Sequence, residues 1–169
     1  MLYLIDANIL ITANNNYYPV DAVPEYWAWL EYMATRGDLK MPIEIFDEIK
    51  EGPNQPGKDL LYAWIQQDHI KENLILDEDV DEQKLQFVVN KGYAPDLTDD
   101  ELEQMGRDPF LISYAVGHPD RCVITAEQSK PSKTRQNRKV PDVCNTLGVI
   151  WYGPFDLNRM LGFRTNWNA

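Results

Sequence analysis

An α/β fold built on buried parallel strands is the architecture that this sequence predicts. The apolar run Leu2–Ile5 ends at a carboxylate, Asp6, and such a run without polar alternation is typical of a parallel strand covered on both faces. Ile9, Leu10 and Ala13 then recur at helical spacing, so Asp6 lies in a strand-to-helix turn. Because open α/β sheets bind ligands at the carboxyl ends of their strands, Asp6 is the first candidate site residue. Capping of the following helix is the alternative role for this side chain.

Length and composition predict one soluble domain that spans residues 1–169. A chain of 169 residues is long enough for a substantial core, and its 44% hydrophobic content argues against disorder. No apolar run approaches the roughly 20 residues of a membrane span, and no secretory leader is recognisable, so we expect a cytoplasmic protein with no membrane partner. In that setting Cys122 and Cys144 are expected to be buried, reduced thiols.

Helix starts are marked by proline or by capping residues, and several helices end at glycine. Pro24 and Pro42 suit first helical positions, Gly37 and Gly106 are stop signals, and Thr98–Glu101 matches a capping box. With these signals, helices are predicted at 24–37, 42–51, 60–65, 79–90, 98–105, 110–116, 140–144 and 154–161.

The remaining apolar runs predict strands or breaks between the helices. Short strands are predicted at 39–41, 122–124 and 149–151, and a strand or extended connection at 70–76. Asn14–Pro19 and Gly52–Gly57 are rich in turn residues and predict loops.

Three further acidic residues follow Asp6 in positions that favour a shared site. Glu48 lies on an early acidic helix, where Asp47 is its rival and a solvated acidic face is the alternative explanation. Asp108 precedes Pro109 and is a natural N-cap, but the helix after it is almost wholly apolar, so a carboxylate at its buried end needs a partner. Glu127 leaves the strand that ends at Ile124.

The order of these motifs resembles the PIN-domain nucleases over about the whole chain. The motifs are an N-terminal strand ending in Asp, a Glu on an early helix, a helix opening with Asp, and a strand running into Thr-x-Asp. Within that superfamily the chain looks most like a poorly characterised PIN-like family close to VapC-type toxins. The resemblance implies a three-layer α/β/α fold with a central, mainly parallel sheet. It also implies a metal-dependent endoribonuclease that acts on RNA, with an antitoxin protein and a homodimer as candidate partners.

In this interpretation Asp6, Glu48, Asp108 and Glu127 are the catalytic residues and the metal ligands. Asp142 is either a fifth ligand or a first-turn acid favoured by the helix dipole. Oxygen ligands select hard cations, so Mg²⁺ or Mn²⁺ is the expected cofactor. Asn8 and Thr125 are expected to orient the ligands through hydrogen bonds. Glu127 stands where the family pattern has Asp, which affects a second metal position more than the first.

A basic segment at residues 130–139 is the expected nucleic-acid contact in a chain whose formal charge is −11. Its cations could track phosphates directly after the acidic site; they are Lys130, Lys133, Arg135, Arg138 and Lys139. Tyr17 and Tyr18 could stack bases, although packing on neighbouring residues is the commoner role of such side chains.

Other functional classes stay open at the level of the sequence. A PIN-like interaction module without catalysis and a structure-specific DNA nuclease are the main alternatives, because phosphate contacts alone do not separate RNA from DNA. A haloacid-dehalogenase-like phosphatase needs Asp-x-Asp-x-Thr, whereas residues 6–10 here read Asp-Ala-Asn-Ile-Leu. A nuclease with two catalytic histidines would have to use His69 and His118, both of which are expected at the surface.

Overall fold

The computed structural model describes residues 1–52 and 58–169. Its strands are β1 (Leu2–Ile5), β2 (Leu39–Lys40), β3 (Arg121–Ile124) and β4 (Ile150–Tyr152). The first helices are α1 (Ala7–Thr12), α2 (Pro24–Thr35), α3 (Ile43–Glu51), α4 (Lys58–Ile65) and α5 (Asp68–Leu74). They are followed by α6 (Glu82–Phe87), α7 (Asp99–Met105), α8 (Asp108–Ser113), α9 (Val140–Leu147) and α10 (Pro154–Met160). The loop expected at Gly52–Gly57 lies, apart from Gly52, outside the described residues.

The four strands form one parallel sheet in the order β2-β1-β3-β4. Helices flank this sheet, which confirms the expected three-layer α/β/α architecture. β1 lies in the middle and pairs with β3 along its whole length, with Leu2 opposite Arg121 and Ile5 opposite Ile124. The chain leaves β1 toward β2 on one side, whereas β3 and β4 are added on the other. The topological switch point of the sheet therefore lies between β1 and β3.

The strand or extended connection expected at residues 70–76 is wrong for most of its length. Residues Asp68–Leu74 form α5, and only Ile75 makes an isolated parallel bridge, to Met41. The physical reason is the spacing of the buried side chains. Ile70 and Leu74 are both buried and lie four residues apart, so they share one face of a helix.

Two segments contain wide, π-helical turns that the sequence signals do not indicate. The break expected after α1 instead continues as a π-helical segment, Ala13–Tyr17. The helix expected at 79–90 starts three residues later, at Glu82, because the Asp81 side chain accepts hydrogen bonds from the amides of Gln83 and Lys84. It then continues as a second π-helical segment, Val88–Tyr93.

The core is continuous and contains both cysteines. Cys122 and Cys144 are buried and free, as expected, and burial raises the pKa of the Cys122 thiol to about 12. The largest fully buried side chains come from α2 and include Tyr26, Trp27 and Trp29. In the described part of the chain, no helix combines the length and apolar character that crossing a membrane requires.

Close packing between the second π-helical segment and α9 depends on Gly92. A Cβ atom at this position would lie 2.6 Å from Cγ1 of Val143 and 3.1 Å from Cδ1 of Leu147. The two segments could not approach so closely with a larger residue, so Gly92 sets the position of the residue that follows it, Tyr93.

We expect Gly92→Ala to lower the free energy of unfolding by about 1–3 kcal/mol, because the added methyl group overpacks a filled interface. Urea unfolding monitored by circular dichroism measures this change. Gly153→Ala is the matched control, since a Cβ there would have its nearest contact at 3.8 Å, with Oδ2 of Asp156. Equal losses in the two variants would contradict the packing argument.

Candidate functional site

Asp6 lies at the switch point of the sheet, directly after the central strand. Its amide donates to the carbonyl of Ile124 across 2.9 Å, and the amide of Thr125 donates to the carbonyl of Tyr152 across 3.1 Å. These bonds extend the parallel ladder by one residue and bring Asp6 and Thr125 side by side at the carboxyl ends of β1 and β3. Crevices at this position are where open α/β sheets bind their ligands.

A hydrogen-bond network fixes the orientation of the Asp6 carboxylate. Its Oδ2 accepts from Nδ2 of Asn8 at 2.6 Å and from the hydroxyl of Thr125 at 2.8 Å. The Asn8 side chain in turn accepts from the amide of Ala126, and the Thr125 hydroxyl accepts from the amide of Glu127. The contacts expected of Asn8 and Thr125 are thus present, and they connect the turn after β1 with the turn after β3.

Neither Asp6 nor Asp108 caps the helix at whose start it stands. Asp6 precedes α1 with extended backbone dihedrals, but its side chain makes no N-cap hydrogen bond within the described residues. Asp108 is the first residue of α8, and Arg107, not Asp108, occupies the capping position. The capping alternative therefore does not explain either carboxylate.

The structure brings the four predicted carboxylates into one electrostatic cluster, which we call the acidic crevice: Asp6, Glu48, Asp108 and Glu127. The pKa of Asp6 is raised to about 6, chiefly by burial and also by Glu48 and Glu127, whereas the Thr125 hydroxyl and the Ala7 amide oppose the rise. Burial also raises the pKa of Asp108 well above its ordinary value, with added repulsion from the other three carboxylates and a lowering effect from Lys139. In the metal-free protein the crevice therefore disfavours the ionised forms of Asp6 and Asp108.

The two glutamates of the acidic crevice differ in their surroundings. Burial and Glu127 raise the pKa of Glu48, and Arg107 opposes them. Glu127 is partly buried and is held at both carboxylate oxygens. Its Oε1 lies 3.2 Å from Nζ of Lys139, and its Oε2 accepts from the amide of Val140 at 2.8 Å, at the start of α9. Glu127 therefore connects the acidic crevice with Lys139, the last residue of the basic segment.

Two other acidic candidates do not contribute to this cluster. Asp47, the rival of Glu48, is not among the carboxylates that raise the pKa of Asp6 or Asp108. Asp142 is buried, but its two oxygens accept from the Ser129 hydroxyl and the Lys130 amide, at 2.5 and 2.8 Å. In this structure Asp142 anchors the start of the basic segment.

The four carboxylates of the acidic crevice are not arranged as a formed metal site. Across residues 1–52 and 58–169, no three His, Cys, Asp or Glu side chains form a group that could hold a metal ion. The donor chemistry nevertheless fits a hard divalent cation, because all four groups are carboxylates and two of them, Asp6 and Asp108, have strongly raised pKa values. A cation would offset the repulsion that burial intensifies.

The basic segment is largely engaged in contacts within the protein. Arg135 binds Glu101 and Asp96 at 2.7 and 2.9 Å, and this contact holds the pKa of Glu101 at about 2. Arg138 donates to the carbonyls of Gly92 and Asp142 and to the Thr146 hydroxyl. Lys139 pairs with Glu127. Within the described portion of the chain, only Lys130 and Lys133 of the five cations are exposed and without an ion pair.

An aromatic groove is lined by the chain neighbours of Glu127 and by two exposed rings. Tyr17 is 50% exposed and meets the exposed Phe155 ring edge to face, with 5.1 Å between centroids. Together with Ala126 and Gln128, which flank Glu127, these rings line a groove of about 210 Å³. Tyr18, by contrast, stacks on the buried ring of Tyr26 with a centroid separation of 4.3 Å. Of the two tyrosines singled out by the sequence, only Tyr17 faces this groove.

Sequence reasoning missed Tyr93, a buried side chain on which charges of the acidic crevice act. The side chain is 7% exposed, and its hydroxyl has no hydrogen-bond partner in the described residues. Burial raises its pKa well above the ordinary value, and Asp108, Glu127 and Asp6 are among the groups that raise it further. A lone tyrosine after a glycine carries no sequence signal for such a site. Its position depends on the second π-helical segment, which the sequence pattern does not predict.

The two histidines are not brought together. His69 pairs with Glu31 on the exposed face of α5, and His118 contacts Lys84. The structure therefore offers no support for a shared general acid and base formed by these two imidazoles.

The raised pKa of Asp6 predicts that the metal-free protein loses stability as the pH rises. Below the ordinary pKa of 3.8 the carboxyl is protonated in both the folded and the unfolded chain. Above it the unfolded chain releases its proton first, so stability falls as the pH rises through about 6. The loss relative to Asp6→Asn should be on the order of 3 kcal/mol. Urea unfolding in EDTA at pH 4 to 7 measures it, and parallel pH profiles of the two proteins would contradict the assignment.

Comparison with known proteins places the chain in a family but does not supply an activity. No curated protein and no solved structure matches it. A family described as a domain of unknown function, DUF4411, matches residues 3–165. Because this match covers nearly the whole sequence, the chain belongs to the DUF4411 family.

Proposed function

We propose that this protein is a PIN-like, divalent-metal-dependent endoribonuclease that hydrolyses RNA phosphodiester bonds at the acidic crevice. The observation that carries the proposal is the electrostatic repulsion among Asp6, Glu48, Asp108 and Glu127, with Asp6 at the switch point of a parallel sheet. Isolated buried carboxylates that repel one another are costly unless something compensates their charge. A site of this kind is understandable if cation and phosphate binding provide that compensation.

Each part of the crevice has a distinct role in this proposal. Asp6, Glu48 and Asp108 would hold the principal Mg²⁺ or Mn²⁺ ion, and Glu127 would complete the site. A cation bound there would activate water for in-line attack and would stabilise the charge on the leaving oxygen. Asn8 and Thr125 keep the Asp6 carboxylate in one orientation, which reduces the reorganisation required when ligands bind.

Substrate recognition in this proposal combines one aromatic and one basic surface. Tyr17 and Phe155 offer exposed rings in a groove that is also lined by Ala126 and Gln128, where unpaired bases of a single strand could stack. Lys130 and Lys133 would contact phosphates, because the other three cations of the segment are engaged with acids or carbonyls of the protein. Arg135, Arg138 and Lys139 then serve mainly to hold the segment in place beside the crevice.

The same assays separate the main alternatives. A PIN-like interaction module without catalysis would bind RNA or a protein partner but would not cleave RNA in Mn²⁺ or Mg²⁺. A structure-specific DNA nuclease would cleave branched or flapped DNA faster than single-stranded RNA. A toxin role would require an antitoxin protein whose binding blocks the crevice, and co-expression with neighbouring genes would reveal it.

We expect the purified protein to cleave single-stranded RNA only in the presence of Mn²⁺ or Mg²⁺. Asp6→Asn, Asp108→Asn and Glu48→Gln should each lower the cleavage rate at least about 100-fold, since each removes charge at the reacting centre. The matched control is Asp47→Asn, which removes the same charge one residue away on α3 and should leave the rate unchanged. Cleavage that persists in EDTA or in Asp6→Asn would refute the proposal, because that activity would not come from a metal ion held by Asp6.

We expect Lys130→Gln combined with Lys133→Gln to weaken RNA binding and to flatten its salt dependence. Two lost phosphate contacts correspond to about 1.4 units of log–log slope for a single strand, at about 0.7 units per contact. Fluorescence anisotropy at several salt concentrations, in an Asp6→Asn background that cannot cleave, measures both quantities.

The control for this measurement carries the same change in net charge elsewhere. Arg36→Gln combined with Arg164→Gln removes two cations outside the basic segment, and Arg36 lies over the Tyr32 ring near the end of α2. These substitutions should leave the slope unchanged. An equal effect of both double variants would mean that net charge, and not the basic segment, governs binding.

A further inference from the structure

Lys139 is the cation of the basic segment that pairs with a carboxylate of the acidic crevice. Its Nζ lies 3.2 Å from Oε1 of Glu127, and the other carboxylate oxygen, Oε2, accepts from the Val140 amide at 2.8 Å. Because that amide belongs to the start of α9 and is fixed, Oε1 is the oxygen at which Glu127 can exchange its partner. The lysine ammonium stands at this oxygen in the metal-free protein.

Hydrogen bonds connect this ion pair with the centre of the crevice. The Glu127 amide donates to the Thr125 hydroxyl at 3.1 Å, and the same hydroxyl donates to the Asp6 carboxylate at 2.8 Å. The backbone of Glu127 is thus joined to Asp6 through a single hydroxyl group. The electrostatics agree with this connection, since Lys139 lowers the pKa of Asp108 whereas Glu127 raises it.

The ion pair can be reached from solution and can open at little cost. The Lys139 side chain is 34% exposed and that of Glu127 is 22% exposed, so an ion can approach without a rearrangement of the core. Partly exposed pairs between two flexible side chains contribute little to stability. Arg135 differs in this respect, because two acids, Asp96 and Glu101, hold it at once.

The ammonium group of Lys139 and a divalent cation cannot share the free oxygen of Glu127 without strong mutual repulsion. A hard divalent cation has the higher charge and prefers carboxylate oxygens, so the lysine is the partner that leaves. Lys139 directly precedes α9, and its backbone therefore stays beside the crevice after the pair opens. Its flexible four-carbon stem lets the ammonium group turn toward a new anion.

We propose that Lys139 is a phosphate-binding residue that Glu127 holds in the metal-free protein and releases when a divalent cation binds at the acidic crevice. This inference rests on the proposed function, because it requires a cation at Glu127. A phosphate group is the anion that the released ammonium meets there, and lysine binds phosphate as a point charge. Cation binding and phosphate binding are then coupled, in a chain whose formal charge of −11 otherwise repels polyanions.

The first test titrates the metal-free protein with Mn²⁺ alone in a calorimeter. Lys139→Met and Lys139→Gln remove the competing ammonium group and should bind Mn²⁺ more tightly than wild type. The gain should be about 10-fold if the ion pair occupies the oxygen in about nine of ten molecules. A lysine that only holds the segment in place would not weaken Mn²⁺ binding, so its removal would give no such gain.

Two further variants serve as controls for this titration. Lys133→Met makes the same change in charge within the basic segment, at an exposed lysine that has no ion pair among the described residues, and should leave the Mn²⁺ affinity unchanged. Lys139→Arg keeps the positive charge and should not bind Mn²⁺ more tightly than wild type. Equal gains in Lys139→Met and Lys133→Met would show a general charge effect and would overturn the inference.

The second test measures binding of inorganic phosphate with and without Mg²⁺. In saturating Mg²⁺, Lys139→Met should bind phosphate about 10-fold more weakly than wild type, which corresponds to one charge-assisted hydrogen bond. In EDTA the two proteins should bind phosphate equally weakly, because Glu127 then holds the lysine in the wild type. Circular dichroism spectra verify that each variant is folded.

The outcomes separate this inference from the proposed function. Unchanged or weaker Mn²⁺ binding in both neutral Lys139 variants would overturn the inference, as would tighter Mn²⁺ binding with an unchanged affinity for phosphate. Both expected effects in a protein that does not cleave RNA would uphold the inference and refute the proposed reaction. Metal-dependent RNA cleavage without these effects would overturn the inference alone. A wild type that binds no Mn²⁺ would overturn both.

Discussion

Repulsion among buried carboxylates is the constraint around which this end of the molecule is built. Asp6 and Asp108 have raised pKa values because burial removes water and because the other acids of the crevice add negative charge nearby. Such a cluster lowers stability in the absence of a compensating ligand. The fold tolerates it because the rest of the chain forms a continuous apolar core in which β1 and β3 are fully paired. Functional sites commonly combine low local stability with a well-packed scaffold.

Two cations offset part of the repulsion among the carboxylates of the acidic crevice. Arg107 opposes the charge of Glu48, and Lys139 acts on Asp108 and Glu127. Arg107 also donates to the Glu44 carbonyl and binds Glu51, so it connects α3 with the start of α8. These cations hold the surrounding elements together, whereas burial leaves Asp6 and Asp108 with raised pKa values. In the function proposed above, a divalent cation would stabilise the ionised forms of these two carboxylates.

The basic segment, residues 130–139, shows that ion pairs within the protein reduce the positive charge available to a ligand. In the sequence its five cations lie within ten residues. In the structure Arg135 is held by Asp96 and Glu101, and Arg138 is held mainly by backbone carbonyls. Guanidinium groups favour such multiple, planar contacts, whereas lysine ammonium groups more often remain hydrated. The local charge available to a polyanion is therefore smaller than the count of basic residues indicates.

The sequence alone determined the parallel α/β architecture, the strand-to-helix turn at Asp6 and the capping box at Thr98, because apolar runs and cap residues act locally. Only the tertiary structure decided that residues 68–74 are helical, that Asp142 serves the basic segment, and that the Tyr93 hydroxyl is buried without a hydrogen-bond partner in the described residues. The physical reason is the distance along the sequence between interacting residues. Local patterns specify an element, whereas the partner of a polar side chain comes from residues that are distant in sequence and meet only after the sheet and helices have packed.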